Sequence, residues 1–409
     1  MRRSSPGYPV LLSVIPLVGC GAEEATHGAD AVPAWEVTGE VRIGSVDDPE
    51  YALTYVSSLG VDDEGSIYTL HPQEQVVRRF DTAGTLLGTI GGRGDGPGEL
   101  QNAYTMGFLD DTLWILDFNG YEFSFFRPDG DFIRSFGVPF GSTENFMEAQ
   151  PPRARGLLDD GTIHGAPPAF SNLIAEGVLT HDQPYLLDTA GNVTDTLPAI
   201  PFGESQWAIF DPDNPRRGGM YRSQPFAEGP MWAFVPGERA IIVVDREVPA
   251  DEVEPAVVVN KLAFDGDTVF SVLIPYEPLS IEPAEVDSIM TTAVPEDGLF
   301  GATRATATEW ARGALHVPPH KPGVTGMMLT DEGRIWLGRQ LDAAGRKTWT
   351  ILDAEGRAIG DLELRSTFRP MALAGDIVWG VETDDLDIPY VVGVRFRRDG
   401  APREALEGA

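Results

Sequence analysis

The sequence predicts an all-β fold, and three observations carry that prediction. A pattern of four short apolar runs recurs along most of the chain. Glycine and proline are abundant, at 46 and 33 of 409 residues. No long segment keeps a helical period. Many short strands joined by tight turns fit this balance, and hydrophobic residues at 42% suffice for a full core.

The pattern is clearest at 59–100, with apolar runs near 57–61, 66–70, 75–80 and 85–90. Turn residues separate them, at Asp62 to Gly65, at 71–74, and at Asp81 to Gly84. Four antiparallel strands joined in this way make one blade of a β-propeller. A second copy spans 105–137, and Tyr68 and Trp114 lie 46 residues apart, a typical propeller spacing. More divergent copies follow at 153–199, 230–274, 324–364 and 368–398. The expected architecture is therefore a six-bladed β-propeller occupying residues 34–400 as a single domain.

The sixth copy stops after its third strand. Residues 35–45 carry the fourth-strand pattern of 85–92, so residues 34–45 are expected to close the last blade and leave no free sheet edge. A small residue is expected at one register of each innermost strand, because these strands crowd the axis. Gly60, Gly107, Gly156, Ala233 and Ala372 satisfy this, and Met328 breaks it. The long region 137–225 has room for further strands and hence for a seventh or eighth blade.

Residues 278–318 interrupt the repeat. Glu282 to Met290 and Ala302 to Leu315 read as short helices. Their place between blades four and five predicts a helical insertion on the upper face, either capping part of the central channel or packing on the rim.

The N-terminus predicts export. Arg2 and Arg3 precede a short apolar stretch from Tyr8 to Val18, broken by Pro9 and Pro16 and too short to span a bilayer. Cys20 is the one cysteine of the chain, so disulfides, thiolate metal sites and a cysteine nucleophile inside the fold are excluded. Leu17-Val18-Gly19-Cys20 resembles the bacterial lipobox. That resemblance implies a signal peptide over 1–19, lipid attachment at Cys20, and anchoring to the cell envelope at the outer membrane. Residues 20–33 are small, acidic and aperiodic and read as a flexible tether, and 401–409 as a C-terminal tail.

The net charge is −33 with no basic cluster, which excludes nucleic acid as a partner. The charge itself serves solubility, or else draws cationic ligands or divalent ions. No G-x-S-x-G, H-E-x-x-H or Walker loop is present. His316 and His320 have i, i+4 spacing, but the Val317-Pro318-Pro319 between them rules out a helix.

The first two copies resemble NHL repeats: a D-x-x-G turn, an aromatic second strand, an F-D-x-x-G turn and the glycine-rich exit from Gly91 to Gly98. The chain from 35 to 398 resembles six-bladed propeller lipoproteins of Gram-negative bacteria, strongly over 59–137 and loosely elsewhere. The resemblance implies the fold and leaves the activity open, since such propellers include binding modules and lyase- or lactonase-like enzymes.

Any site is expected on the upper face, where second strands end. Those ends hold His71, Asp117, Pro167, Asp245, Arg339 and Glu382, with Arg93 and Arg155 nearby. Asp117, Asp245 and Glu382 offer hard oxygen ligands for Ca²⁺ or a polar ligand. His71 offers a general base. The same residues also read as strand-terminating groups that satisfy loop amides. The expected function is a monomeric, non-enzymatic propeller binding a peptide, glycan or protein without a cofactor. The alternative is a metal-dependent lyase or hydrolase at the channel mouth.

Overall fold

Short apolar stretches bounded by Asp- and Gly-containing turns govern the local structure. In the computed structural model, Asp62, Asp81, Asp188, Asp353 and Asp384 each accept backbone amides two and four residues ahead. Each carboxylate thereby folds its own hairpin turn, with left-handed glycines such as Gly65 and Gly84 completing the reversal. The described residues are 32–139, 151–170, 174, 179–203, 205–214, 219–246, 255–342 and 345–398. The export segment, Cys20, nearly all of the tether and the C-terminal tail lie outside them.

The first strand, β1 (Ala34–Ile43), is followed by four-stranded antiparallel units. Unit one is β2 (Ser58–Val61), β3 (Ile67–His71), β4 (Val76–Phe80) and β5 (Leu86–Gly91). Unit two is β6 (Ala103–Leu109), β7 (Thr112–Asp117), β8 (Glu122–Phe126) and β9 (Phe132–Gly137). Unit three comprises β10 (Arg153–Leu157), β11 (Ile163–Ala166), β13 (Tyr185–Leu187) and β14 (Val193–Thr196), with β12 (His181–Asp182) set aside to pair with β15 (Ile200–Pro201). A hairpin follows, β16 (Gln206–Phe210) with β17 (Gly219–Ser223). Unit four is β18 (Met231–Phe234), β19 (Ala240–Asp245), β20 (Ala256–Ala263) and β21 (Thr268–Pro275). Helices α1 (Pro283–Ala293) and α2 (Arg304–Ala314) come next. Unit five is β22 (Val324–Leu329), β23 (Ile335–Leu341), β24 (Arg346–Leu352) and β25 (Ala358–Arg365). Strands β26 (Phe368–Ala374), β27 (Ile377–Thr383) and β28 (Pro389–Arg397) complete the set.

Strand β1 pairs antiparallel with β28 from Glu36 to Ile43, so the last three strands gain a fourth from the opposite end of the sequence. Its first two residues also pair in parallel with Asp361 and Leu362 of β25. Trp35 stacks on Phe396 at 5.1 Å and meets Trp336 edge-on at 6.2 Å. The first strands of successive units pack side by side, β2 against β6, β6 against β10, β18 against β22, β22 against β26, and β26 back against β2. Units three and four meet through a cluster that includes Leu186, Leu197, Ile241 and Phe264. Sheets of four antiparallel strands in this succession fit a propeller-like fold.

The small-residue register is present. Gly60 pairs with Tyr68, Gly107 with Trp114, Gly156 with His164, Ala233 with Ile242, Met328 with Trp336 and Ala372 with Trp379. A Cβ on Gly107 would lie 2.6 Å from the Trp114 ring, one on Gly60 2.7 Å from Phe108, and one on Gly156 2.7 Å from the His164 imidazole. What excludes a side chain is a ring lying over the glycine, from the second strand at Gly107 and Gly156 and from the adjacent first strand at Gly60.

The irregular region between units three and four contributes the β16–β17 hairpin rather than another four-stranded unit. The predicted helices are present, three residues longer at the C-terminal end of the first and slightly shorter in the second. They pack on that hairpin: Trp207, Ile209, Met290, Ala307, Ala311 and Leu315 share one core, and the Trp207 indole donates to the Ala311 carbonyl at 3.1 Å. The helical insertion and the hairpin thus form a module flanking unit four on both sides.

Candidate functional site

The upper face is the end where first strands begin and second strands finish. Each second-strand residue predicted to ring the mouth is in place along the chain, but the side chains do not converge. Asp117 is buried, and its carboxylate accepts the amides of Gln101 at 2.6 Å, Asn102 at 3.0 Å and Asn119 at 2.7 Å. Glu382 is held by Arg42 at 2.9 Å, by Thr367 at 2.9 Å and by two nitrogens of Arg365. Burial alone would raise its carboxyl, and the hydrogen bonds and charge of Arg365, with Thr367 and Arg42, outweigh this and hold it below the usual range.

His71 has no exposed surface. Its Nε2 meets the Thr69 hydroxyl at 2.9 Å, and its Nδ1 is buried without a partner among the described residues. Burial, aided by the Arg78 charge, lowers it to about 4. Its imidazole lies in the core and not at the mouth, where the general-base reading of His71 would need it.

Arg339 donates to Thr350 at 3.0 Å, which passes a hydrogen bond to Asp361 within the same unit. Arg155 pairs with Asp182 at 3.0 Å and ties β12 to unit three. Arg93 donates to the Gln73 carbonyl and folds back on its own unit. Asp245 is exposed at the end of β19. Among the described residues no group of three His, Cys, Asp or Glu side chains could hold a metal ion, so the calcium arrangement expected of Asp117, Asp245 and Glu382 is not assembled.

The reason lies in sheet geometry. His71, Asp117, Arg339 and Glu382 each fall three residues beyond the second-strand aromatic, and Asp245 three beyond Ile242. Second strands lie inside their units, so their side chains alternate between the two faces of the sheet and enter the spaces between units. Side chains that face the mouth must come from loops, or from the starts of first strands.

Those places hold an arc of aromatic rings. Tyr55 precedes β2, Tyr104 lies near the start of β6, Phe118 follows β7 and Tyr121 precedes β8. Tyr55 and Tyr104 have ring centroids 6.4 Å apart and hydroxyls 3.1 Å apart. Tyr104 stacks on Phe118 at 6.0 Å and 22°, and Phe118 meets Tyr121 at 5.8 Å. Tyr55 and Tyr104 are 41% and 44% exposed, unusual for stacked rings. The pairing of β6 with β7 skips Tyr104, turning this residue out of the ladder.

Arginines stand at both ends. The Arg153 guanidinium lies 5.8 Å from the Tyr121 ring and donates to its hydroxyl at 3.2 Å. Arg369 is exposed at the start of β26, donates to the Val56 carbonyl, and is the charged side chain acting on Tyr104. Tyr104, Arg153 and Arg369 each lie three residues before the small residue of their first strand. That register was open to sequence reasoning, which examined the second-strand ends instead.

A separate polar group lies beside the helical module. His316 Nε2 approaches Glu228 at 3.1 Å. Arg246 donates to the Gly229 carbonyl at 2.8 Å and the Val324 carbonyl at 3.3 Å, at the entrances of the fourth and fifth first strands. Burial and the Glu228 charge raise Tyr276, whose hydroxyl is buried without a partner among the described residues. The Glu228–His316 pair is an arrangement capable of proton transfer.

The opposite face has a cavity of about 420 Å³ between units three and four, lined by His164, Phe234, Asp159, Glu238 and Arg239 among others. His164 occupies the second-strand aromatic position and lies 4.5 Å from Phe234. Burial first, then the Arg155 charge, lowers it to about 3.

No family model and no curated protein matches this sequence. Solved structures resemble it along its length. A member of the DUF4221 family from Bacteroides vulgatus is 11% identical, with 90% of this chain and 99% of that one covered and a TM-score of 0.43. Virginiamycin B lyase from Staphylococcus aureus, crystallised with quinupristin, is 9% identical, with 87% and 99% covered and a TM-score of 0.41. Aldose sugar dehydrogenase from Streptomyces coelicolor, in its PQQ-bound form, is 12% identical, with 90% and 100% covered and a TM-score of 0.40. At this distance no activity is carried from those proteins to this one.

Proposed function

We propose that the chain is an exported, lipid-anchored, six-bladed β-propeller that acts as a non-enzymatic binding protein at the cell envelope, with its ligand site on the upper face. Units one to five are its first five blades, and β26, β27, β28 and β1 make the sixth. The observation that carries the binding reading is the arc from Tyr55 to Tyr121. Four rings in mutual contact, two of them more than 40% exposed, are an investment in surface that folding alone does not require. The polar residues first expected to make a site are instead largely consumed by internal contacts.

The test is a thermal-shift and calorimetric screen of the full chain against peptides, glycans and small organic molecules, repeated with Tyr104→Ala. A ligand bound by the natural chain and lost in the variant supports the reading. Ligands bound with unchanged affinity in the variant place the site elsewhere and sink it.

One observation favours a catalytic alternative, the Glu228–His316 pair beside the buried Tyr276 hydroxyl. A hydrolase or lyase activity found in a substrate panel and abolished by His316→Gln, with stability unchanged, would establish that reading in place of pure binding.

A further inference from the structure

We infer that the aromatic arc is a carbohydrate-binding platform for an acidic glycan, one whose sugar rings carry carboxylates. The inference rests on the upper-face binding reading and names the ligand class for it.

The shape of the site is the first argument. The Tyr104 and Phe118 rings are stacked with their planes 22° from parallel, and the neighbouring pairs are tilted by 37° and 32°. The centroids step at 6.4, 6.0 and 5.8 Å, so the rings follow one another in a file whose Tyr55 and Tyr104 end is open to solvent. Apolar peptide side chains bind best in pockets that desolvate them fully. A pyranose ring is instead a flat body with C–H bonds on its faces and hydroxyls on its rim. Its C–H faces complement the negative face of an aromatic ring, and its rim needs donors and acceptors at the platform edge. The hydroxyls of Tyr55 and Tyr104 supply both.

Charge is the second argument. Aromatic faces also attract cations, and a chain of net charge −33 would draw them. These rings are bounded by arginines at both ends, Arg369 bonded to the Val56 carbonyl next to Tyr55 and Arg153 over Tyr121. A cationic ligand meets two positive ends, whereas carboxylates on a sugar chain lying along the arc meet guanidinium groups suited to them. The long-range field of so acidic a protein opposes an anionic ligand, so binding depends on the local arginines and weakens as salt screens them.

Calorimetry on the full-length chain in detergent micelles tests this, with short oligogalacturonates, their methyl-esterified neutral counterparts and tyrosine-rich acidic peptides as probes. The acid form is expected to bind and the neutral ester to bind more weakly. Tyr104→Ala should weaken the acid form by roughly tenfold or more, and Tyr104→Phe should keep most of the affinity. Arg369→Gln should reduce the difference between acid and ester, Arg153 retaining part of it. Both substituted residues are exposed, and unchanged melting temperatures will show that the variants fold. No binding of either sugar form, or sugar binding indifferent to Tyr104 and Arg369, overturns the inference. If the peptide alone binds, and does so through Tyr104, the glycan assignment falls while the upper-face binding site stands.

Discussion

Asp117 shows how one carboxylate is used up by its own loop. Three backbone amides donate to it at 2.6–3.0 Å while it is almost wholly buried. Its removal strands those amides, each of which would otherwise be hydrogen-bonded. Asp117→Ala is expected to destabilise the fold by about 2–3 kcal/mol, read as a lower denaturant midpoint, and to leave binding of the oligosaccharide probe unchanged in the folded protein. A loss of binding without loss of stability would restore Asp117 to the site.

His164 gives a second prediction at the same scale. Burial holds its imidazole at about 3, against an ordinary value of 6.5. The unfolded chain therefore takes up a proton near 6.5 that the folded protein refuses until far lower pH. Its contribution to stability is complete above about 6.5 and is lost as the pH falls towards about 3. Other units place Tyr68, Trp114, Trp336 or Trp379 at this position. His164→Phe removes the titration and keeps an aromatic ring there. Melting curves from pH 7 to 5 should show the variant gaining about 2 kcal/mol over the natural chain by pH 5. Parallel curves would mean that His164 is already solvated or protonated in the fold.

At the scale of elements, β1 has the most to hold. It supplies the fourth strand beside β28, and its Trp35 reaches Phe396 on β28 and Trp336 on β23. Trp35 is 7% exposed. Trp35→Ala should cost about 3–5 kcal/mol, measured as a fall in chemical-denaturation midpoint with no change in secondary structure at low denaturant. A cost near that of a surface substitution would mean that β1 is only loosely held.

These elements were legible in the sequence for a definite reason. A strand end marked by Asp and Gly is local chemistry, so the turns at Asp62, Asp81, Asp188 and Asp353 declare themselves without knowledge of the fold. The missing fourth strand was legible because a repeat with three strands has an edge to cover. The β16–β17 hairpin was not, because its strands serve α1 and α2 and carry no repeat signature. Of the two roles expected of these residues, Asp117 takes the loop-amide one, and the reason is geometric. His71, Asp117 and Glu382 share a register, but a shared register on an interior strand sends side chains between sheets. The position of Tyr104 is marked in the sequence, three residues before Gly107, but the exposure of its ring follows from a break in β6–β7 pairing that the sequence does not mark.

For the whole molecule, the order of parts along the chain links anchoring to closure. Cys20 lies only fourteen residues before Ala34, the first residue of β1. If lipid is attached at Cys20, the intervening residues pull on β1, and its pairing with β28 from Glu36 to Ile43 must bear that load. The two roles separate by variant. Cys20→Ser should shift the protein from the membrane fraction to the soluble envelope fraction with an unchanged melting temperature. Deleting 21–32 should leave both anchoring and stability intact, as the tether reading of these residues requires. Deleting 34–45 should keep the lipid but open the edges of β28 and β25 together. Unpaired strand edges recruit other edges, so the expected readouts are a lower melting temperature and concentration-dependent association in light scattering. A deletion variant as stable and monodisperse as the natural chain would mean that the ring does not depend on its N-terminal strand, and the six-bladed closure would have to be abandoned.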